Sequence, residues 1–180
     1  NNDPLYGWSN KNFKRDGKPY NIYTDGLKIM TTIDSRMQKY AEEAVFAQVA
    51  KNLQPAFNRA NKSKRNAPFS DNLTSKQVRE IMHRAMVQSE RYRVLKSKGL
   101  SEDEIKQSFR TKVDMTLFSY HGDIDTVMTP MDSIRYVKSF LRTGFMSMDG
   151  LTGQVKAYVG GMNYNHFMYD MVMGGRRQIG

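Results

Sequence analysis

Between Gln154 and Val159 the chain alternates strictly, with Val155, Ala157 and Val159 on one side and Gln154, Lys156 and Tyr158 on the other. A period of two with one apolar side belongs to a strand whose sheet has one covered face. Phe145–Asp149, joined through Gly150-Leu-Thr-Gly153, supplies its hairpin partner. Two helical stripes could cover that face: Met37, Tyr40, Ala41, Ala44, Val45, Val49 and Leu53 in one segment, Met131, Ile134, Val137 and Leu141 in the other. An apolar face must be buried against another element. The expectation is therefore an α+β chain whose hairpin packs on helix Ser35–Leu53 or helix Pro130–Leu141.

Local signals set the remaining elements. Asn1–Asp25 has no sustained period and reads as an extended lead-in tied down by Tyr6, Trp8, Tyr20 and Tyr23. Gly26–Asp34 alternates Leu27, Ile29 and Thr31 with Lys28, Met30 and Thr32, a strand pattern. Ser35-x-x-Gln38 is a capping box opening a helix, and Pro55 should stop it. Gln54–Asn72, polar and holding Pro55 and Pro68, reads as a solvated loop. Thr74-x-x-Gln77 opens a helix carrying Val78, Ile81, Met82, Ala85 and Met86 on one face and ending at Gly99. Ser101-x-x-Glu104 opens a short helix through Ile105 and Phe109. Lys112–Phe118 alternates as a strand that Gly122 turns. Thr129-Pro130 is an N-cap followed by Pro at the first helical position, and Gly144 should end that helix.

Composition narrows the chemistry. The 180 residues hold 28 Lys and Arg against 18 Asp and Glu, a net charge of +10 and a pI near 9.7. Such a balance suits polyanionic partners. The absence of Cys excludes a disulfide framework and any Cys-based metal or redox site. His83, His121 and His166 have no neighbour at ligand spacing, so no metal or cofactor is expected. Glu42-Glu43 reads as the polar side of a helix, and Asp123 and Asp125 flank a turn. Ser119 and Ser147 show no activating base. Gly160-Gly161 and Gly174-Gly175 lack the Gly-Lys-Ser/Thr of a phosphate loop and read as close backbone passages. Met162, Met168, Met171 and Met173 form either an adaptable binding surface or packing surface for further structure.

The basic run Lys76, Arg79, Arg84, Arg91, Arg93, Lys96 and Lys98 faces only Glu80 and Glu90. Apart from Tyr92 it lacks the interleaved aromatics that single-strand binders use. No specific nucleic acid is expected, and affinity for DNA or anionic vesicles should be weak and lost with salt.

Two ordered stretches resemble a known family. Gly26-Leu-Lys-Ile-Met-Thr-Thr-Ile-Asp-Ser-Arg-Met-Gln-Lys-Tyr-Ala-Glu-Glu-Ala-Val45 is similar to the segment preceding the transpeptidase domain of class A, bifunctional penicillin-binding proteins. Gly144–Gly161, followed by Arg176-Arg-Gln-Ile-Gly180, resembles the opening of that domain, where Arg-Gln-Pro-Gly precedes Ser-x-x-Lys. Ile179 stands where the family commonly has Pro, and Phe167-Met-Tyr-Asp170 where it often has Phe-Asn-Arg-Ala.

The resemblance implies three parts. Residues 1–53 would be an interdomain strand and helix, residues 54–110 a basic and mainly helical insertion, and residues 111–180 the start of a transpeptidase-type domain. It also implies a parent that polymerises a lipid-linked precursor and cross-links peptidoglycan stem peptides on the extracytoplasmic face of the membrane. The parent would use a Ser acylated by β-lactams and be anchored through regions outside this chain. Arg177, Gln178 and Gly180 would flank the nucleophile, which falls immediately after Gly180, so the expectation is an excised piece with no catalytic residue. The other reading is a non-enzymatic basic module for anionic wall, membrane or nucleic-acid partners. The oligomeric state is open in both.

Overall fold

A computed structural model describes residues 7–174, and the chain divides into two units, Asn1–Thr32 and Ile33–Gly180. In the first, α1 (Trp8–Lys11) is followed by a turn in which Phe13 and Pro19 form a lone bridge. Trp8 and Tyr20 lie 5.4 Å apart and Lys14 pairs with Asp25 at 3.0 Å. Tyr23 is exposed and anchors nothing in the way the sequence suggested, and Tyr6 lies outside the described residues. The strand expected over Gly26–Asp34 does not form: no described ladder includes it, and Ile29 and Met30 are largely exposed. Alternation shows what a segment could present to a sheet, but a strand also needs a continued ladder of backbone bonds.

The second unit is mixed α+β, as the patterning implied. Its opening helix α2 (Ser35–Phe46) is capped by Asp34, whose carboxylate accepts from the Arg36 and Met37 amides at 2.9 and 3.1 Å. Ser35 is thus inside the helix, because Asp34 reaches the same orphan donors first. Pro55 does not end the helical path. A π-helical stretch, Ala47–Leu53, runs into α3 (Gln54–Asn61), and the Gln54 amide donates five residues back to Val49. Pro55 has no amide to donate and its ring crowds the preceding turn. The wider turn accommodates that misfit, and the helical path continues through Pro55. The solvated loop expected from Gln54 is therefore helix as far as Asn61, with Gln54 itself buried.

Next come α4 (Ser75–Gln88), α5 (Glu90–Ser97) and α6 (Glu102–Ser108). Of the three expected capping boxes two close, Thr74 with Gln77 and Ser101 with Glu104, while Asp34 takes the place of the first. The single helix expected as far as Gly99 is instead broken at Ser89, which ends α4 and caps α5. Gly99 then takes the left-handed φ of +82° that a Cβ would disfavour. Met86, Ile105 and Phe109 are almost fully enclosed, and Met131 and Ile134 of α7 (Pro130–Lys138) pack against them. Thr129 caps α7 as expected, but the helix stops at Lys138, well before Gly144.

Two antiparallel hairpins complete the unit. In the first, β1 (Val113–Leu117) pairs with β2 (Ile124–Met128), a strand the sequence reading missed. In the second, β3 (Phe145–Met148) pairs with β4 (Val155–Val159), with a bulge at Ser147/Met148. The hairpin packs on α2 rather than α7: Ala41, Ala157 and Val159 form a small buried cluster with Val45 against it. Only part of the expected stripe takes part, since Met37, Tyr40 and Leu53 remain exposed.

Candidate functional site

The loop after β4 carries most of the unusual side-chain chemistry. Its attachment begins inside α2. Gln38 donates from Nε2 to the Tyr158 carbonyl at 2.9 Å, and its Oε1 accepts from the Tyr158 amide at 2.7 Å. One side-chain amide thereby completes the outer edge of β4, satisfying two backbone groups as a neighbouring strand would. Asp34 adds a backbone bond to Lys156 at 2.9 Å.

Beyond β4 the chain folds back on itself. The Met171 amide donates to the Gly160 carbonyl at 2.8 Å. Asp170 accepts from the amides of Val172 and Met173 at 2.8 and 3.1 Å, and the Tyr158 hydroxyl donates to its other oxygen. The hydroxyl bond, then the Met173 and Val172 amides, outweigh burial and hold Asp170 below the usual carboxylate range. The same bond, aided by burial and the nearby charge, pushes Tyr158 up to about 12. Gly144 permits this close passage: a Cβ there would lie 2.8 Å from the Val172 side chain and 2.9 Å from backbone atoms of Met171 and Val172.

At the loop's centre Phe167 is buried edge-on against Phe118, and the Arg142 guanidinium sits 3.7 Å over its ring. Burial lowers the Arg142 pKa. Tyr120, packed between Phe46, Phe118 and Phe140, has a buried hydroxyl without a partner among the described residues, and burial raises its pKa. His166, next to Phe167, reaches Asp123 through Nε2 at 2.8 Å. A groove of about 490 Å³ runs between α2 and this loop, lined by Glu42, Phe46, Tyr164, Phe167, Tyr169 and Asp170 among others.

The candidates weighed from sequence fall into place unevenly. Asp123 and His166, treated as unrelated, form a pair across 43 residues. Asp125 accepts from Thr116, and Ser119 donates to the Gly122 carbonyl. Ser147 lies on β3. Glu42 accepts from Gln38, and Glu43 pairs loosely with Lys39. Met168 and Met173 are exposed, while Met162 and Met171 are half-buried. Among the described residues no group of His, Asp and Glu could hold a metal ion. Arg177, Gln178 and Gly180 lie outside the described residues. Sequence patterning does not single out Arg142, and it marks Gln38, Tyr158 and Asp170 only as a capping-box residue, a polar strand position and a departure from the family pattern, not as site residues. For Asp170 a signal existed: an Asp two and three residues before turn amides is a standard local acceptor.

A family model described as the penicillin-binding protein middle domain matches residues 64–141. The match supports a likeness to a penicillin-binding protein region over that stretch, which is less than half of the chain. It spans α4 to α7 with the first hairpin, and so takes in residues on both sides of position 110. No curated protein and no solved structure matches the chain.

Proposed function

We propose that the chain is part of a class A, bifunctional penicillin-binding protein, joining a peptidoglycan glycosyltransferase domain to a serine D,D-transpeptidase domain. In this reading it carries no catalytic residue. The middle-domain match of residues 64–141 supports it most. The second hairpin adds to it, since it lies where the resemblance expects the transpeptidase domain to open. The β4 strand and the loop to residue 174 would deliver Arg177, Gln178 and Gly180 to a Ser nucleophile that follows them. That Ser, activated by a nearby Lys, would be acylated by a stem peptide or a β-lactam. In this reading the parent would act on the extracytoplasmic side of the membrane, where peptidoglycan is cross-linked. Among the described residues no helix is long and apolar enough to cross a membrane.

Fluorescent penicillin tests the proposal. The 180-residue chain should stay unlabelled. A chain extended from Gly180 through the remaining domain should label stoichiometrically, and should lose the label when the first Ser after Gly180 becomes Ala. A folded, extended chain that takes no label would end the transpeptidase reading and leave the basic interaction module in its place.

A further inference from the structure

The penicillin-binding reading makes no use of the charge on α4. Residues 54–110 hold 13 of the 28 Lys and Arg but six of the 18 Asp and Glu, so they carry +7 of the net +10. Burial of Val78, Met82 and Met86 fixes the rotation of α4 and turns Lys76, Arg79, His83 and Arg84 to solvent. Among the described residues no ion pair neutralises Lys76, Arg79 or Arg84, whereas Lys96 and Lys106 are paired with Glu102 and Asp103. Glu80 is the one carboxylate on the face. Arg65 bonds to Ser75 at 3.2 Å, which ties the basic turn around Lys64 to the start of the helix.

We propose that this face of α4 is a docking surface for anionic phospholipid headgroups. The depression it presents is lined by side chains of one helix, Lys76 through Arg84, with no opposing wall to grip an extended acidic peptide. Nor is there a platform for stacked bases: Tyr92 packs toward the Met86 cluster and its hydroxyl is tied to Glu102. A shallow surface of unpaired cations matches a flat array of phosphates. This departs from the expectation that membrane contact comes only from regions outside the chain, and it does not depend on the transpeptidase reading.

The test is co-sedimentation of the 180-residue chain with vesicles of equal parts phosphatidylglycerol and phosphatidylcholine, at low salt. Each basic residue at such a surface contributes on the order of a fivefold change in partitioning, so K76Q/R79Q/R84Q should bind about 100-fold less. R15Q/K18Q/K28Q, which removes the same net charge elsewhere, should bind as the parent chain does. Glu80→Gln should bind about fivefold better, a gain that misfolding would not produce. Equal losses in the two triple variants would reduce the effect to net charge and overturn the proposal. So would absent vesicle binding, an unmoved Glu80→Gln, or stronger binding to duplex DNA than to vesicles at equal phosphate.

Discussion

The two halves of the second unit are held in different ways. The helical part, α4 to α7, closes over Met86, Ile105 and Phe109 and begins its elements with local caps. The hairpin part has a smaller cluster, Ala41, Ala157 and Val159, with Phe167 buried in the loop beyond β4, and adds polar clamps between distant residues. Gln38 spans 120 residues to close β4, and Gln54 spans the chain to receive what leaves α7. Its amide donates to the Ser139 carbonyl and accepts from the Leu141 amide, both at 2.9 Å. An apolar cluster tolerates small shifts, while an amide clamp holds one register only. That suits a segment whose task, in the proposed reading, is to aim a loop.

Breaking the apolar side of this contrast should give the largest effect. Phe109 is 1% exposed, and Phe109→Ala should cost about 3–5 kcal/mol through lost burial and the cavity left behind. The urea midpoint measures it. A loss under about 1 kcal/mol would mean that the cluster is not what holds the helices together.

The clamp should give a smaller and more local effect. Gln38→Leu leaves the Tyr158 amide and carbonyl without partners, at about 1–3 kcal/mol. Hydrogen exchange at the Tyr158 amide should accelerate while that of α4 does not. Gln38→Glu keeps the acceptor for the amide but loses the donor to the carbonyl, so it should fall between. If both variants protect Tyr158 as the parent does, the small apolar cluster alone holds the hairpin.

What was legible follows the same division. Thr74 with Gln77, Ser101 with Glu104 and Thr129 with Pro130 announce helices because a cap is written within four residues. The alternation of β4 announced a covered face and the two helices able to cover it. The clamps were not legible, since nothing near Gln38 or Asp123 points to Tyr158 or His166. The errors were also local readings overruled from further away. Asp34 displaced Ser35 as the cap, a π turn carried the chain past Pro55, and the alternating Gly26–Asp34 found no ladder. In the candidate site, Asp170 stands where the resembled family often has Ala. Its value becomes visible only when Tyr158 is brought against it.

That pair should give the smallest effect, confined to the ends of the pH range. Hydrogen bonding to Asp170 favours the protonated phenol, so Tyr158 titrates at about 12 when folded against 10.0 ordinarily. A group raised on folding contributes fully below its unfolded value, and loses that contribution as pH rises through the folded one. The loop should therefore loosen between about pH 10 and pH 12. Asp170 works in the opposite sense: the Tyr158 hydroxyl and two backbone amides hold it low. Its contribution is present above the ordinary carboxylate range and disappears as pH falls through its depressed value. Asp170→Asn removes the charge, so Tyr158 should titrate nearer its ordinary value and the acid-side dependence should vanish. Tyrosinate absorbance, with Tyr158→Phe as the subtractive reference, follows the first effect, and the Gly144 and Met171 amide resonances follow the loop. If Asp170→Asn leaves the Tyr158 titration where it was, burial rather than the carboxylate sets it, and the loop is held by Phe167 and Arg142 instead.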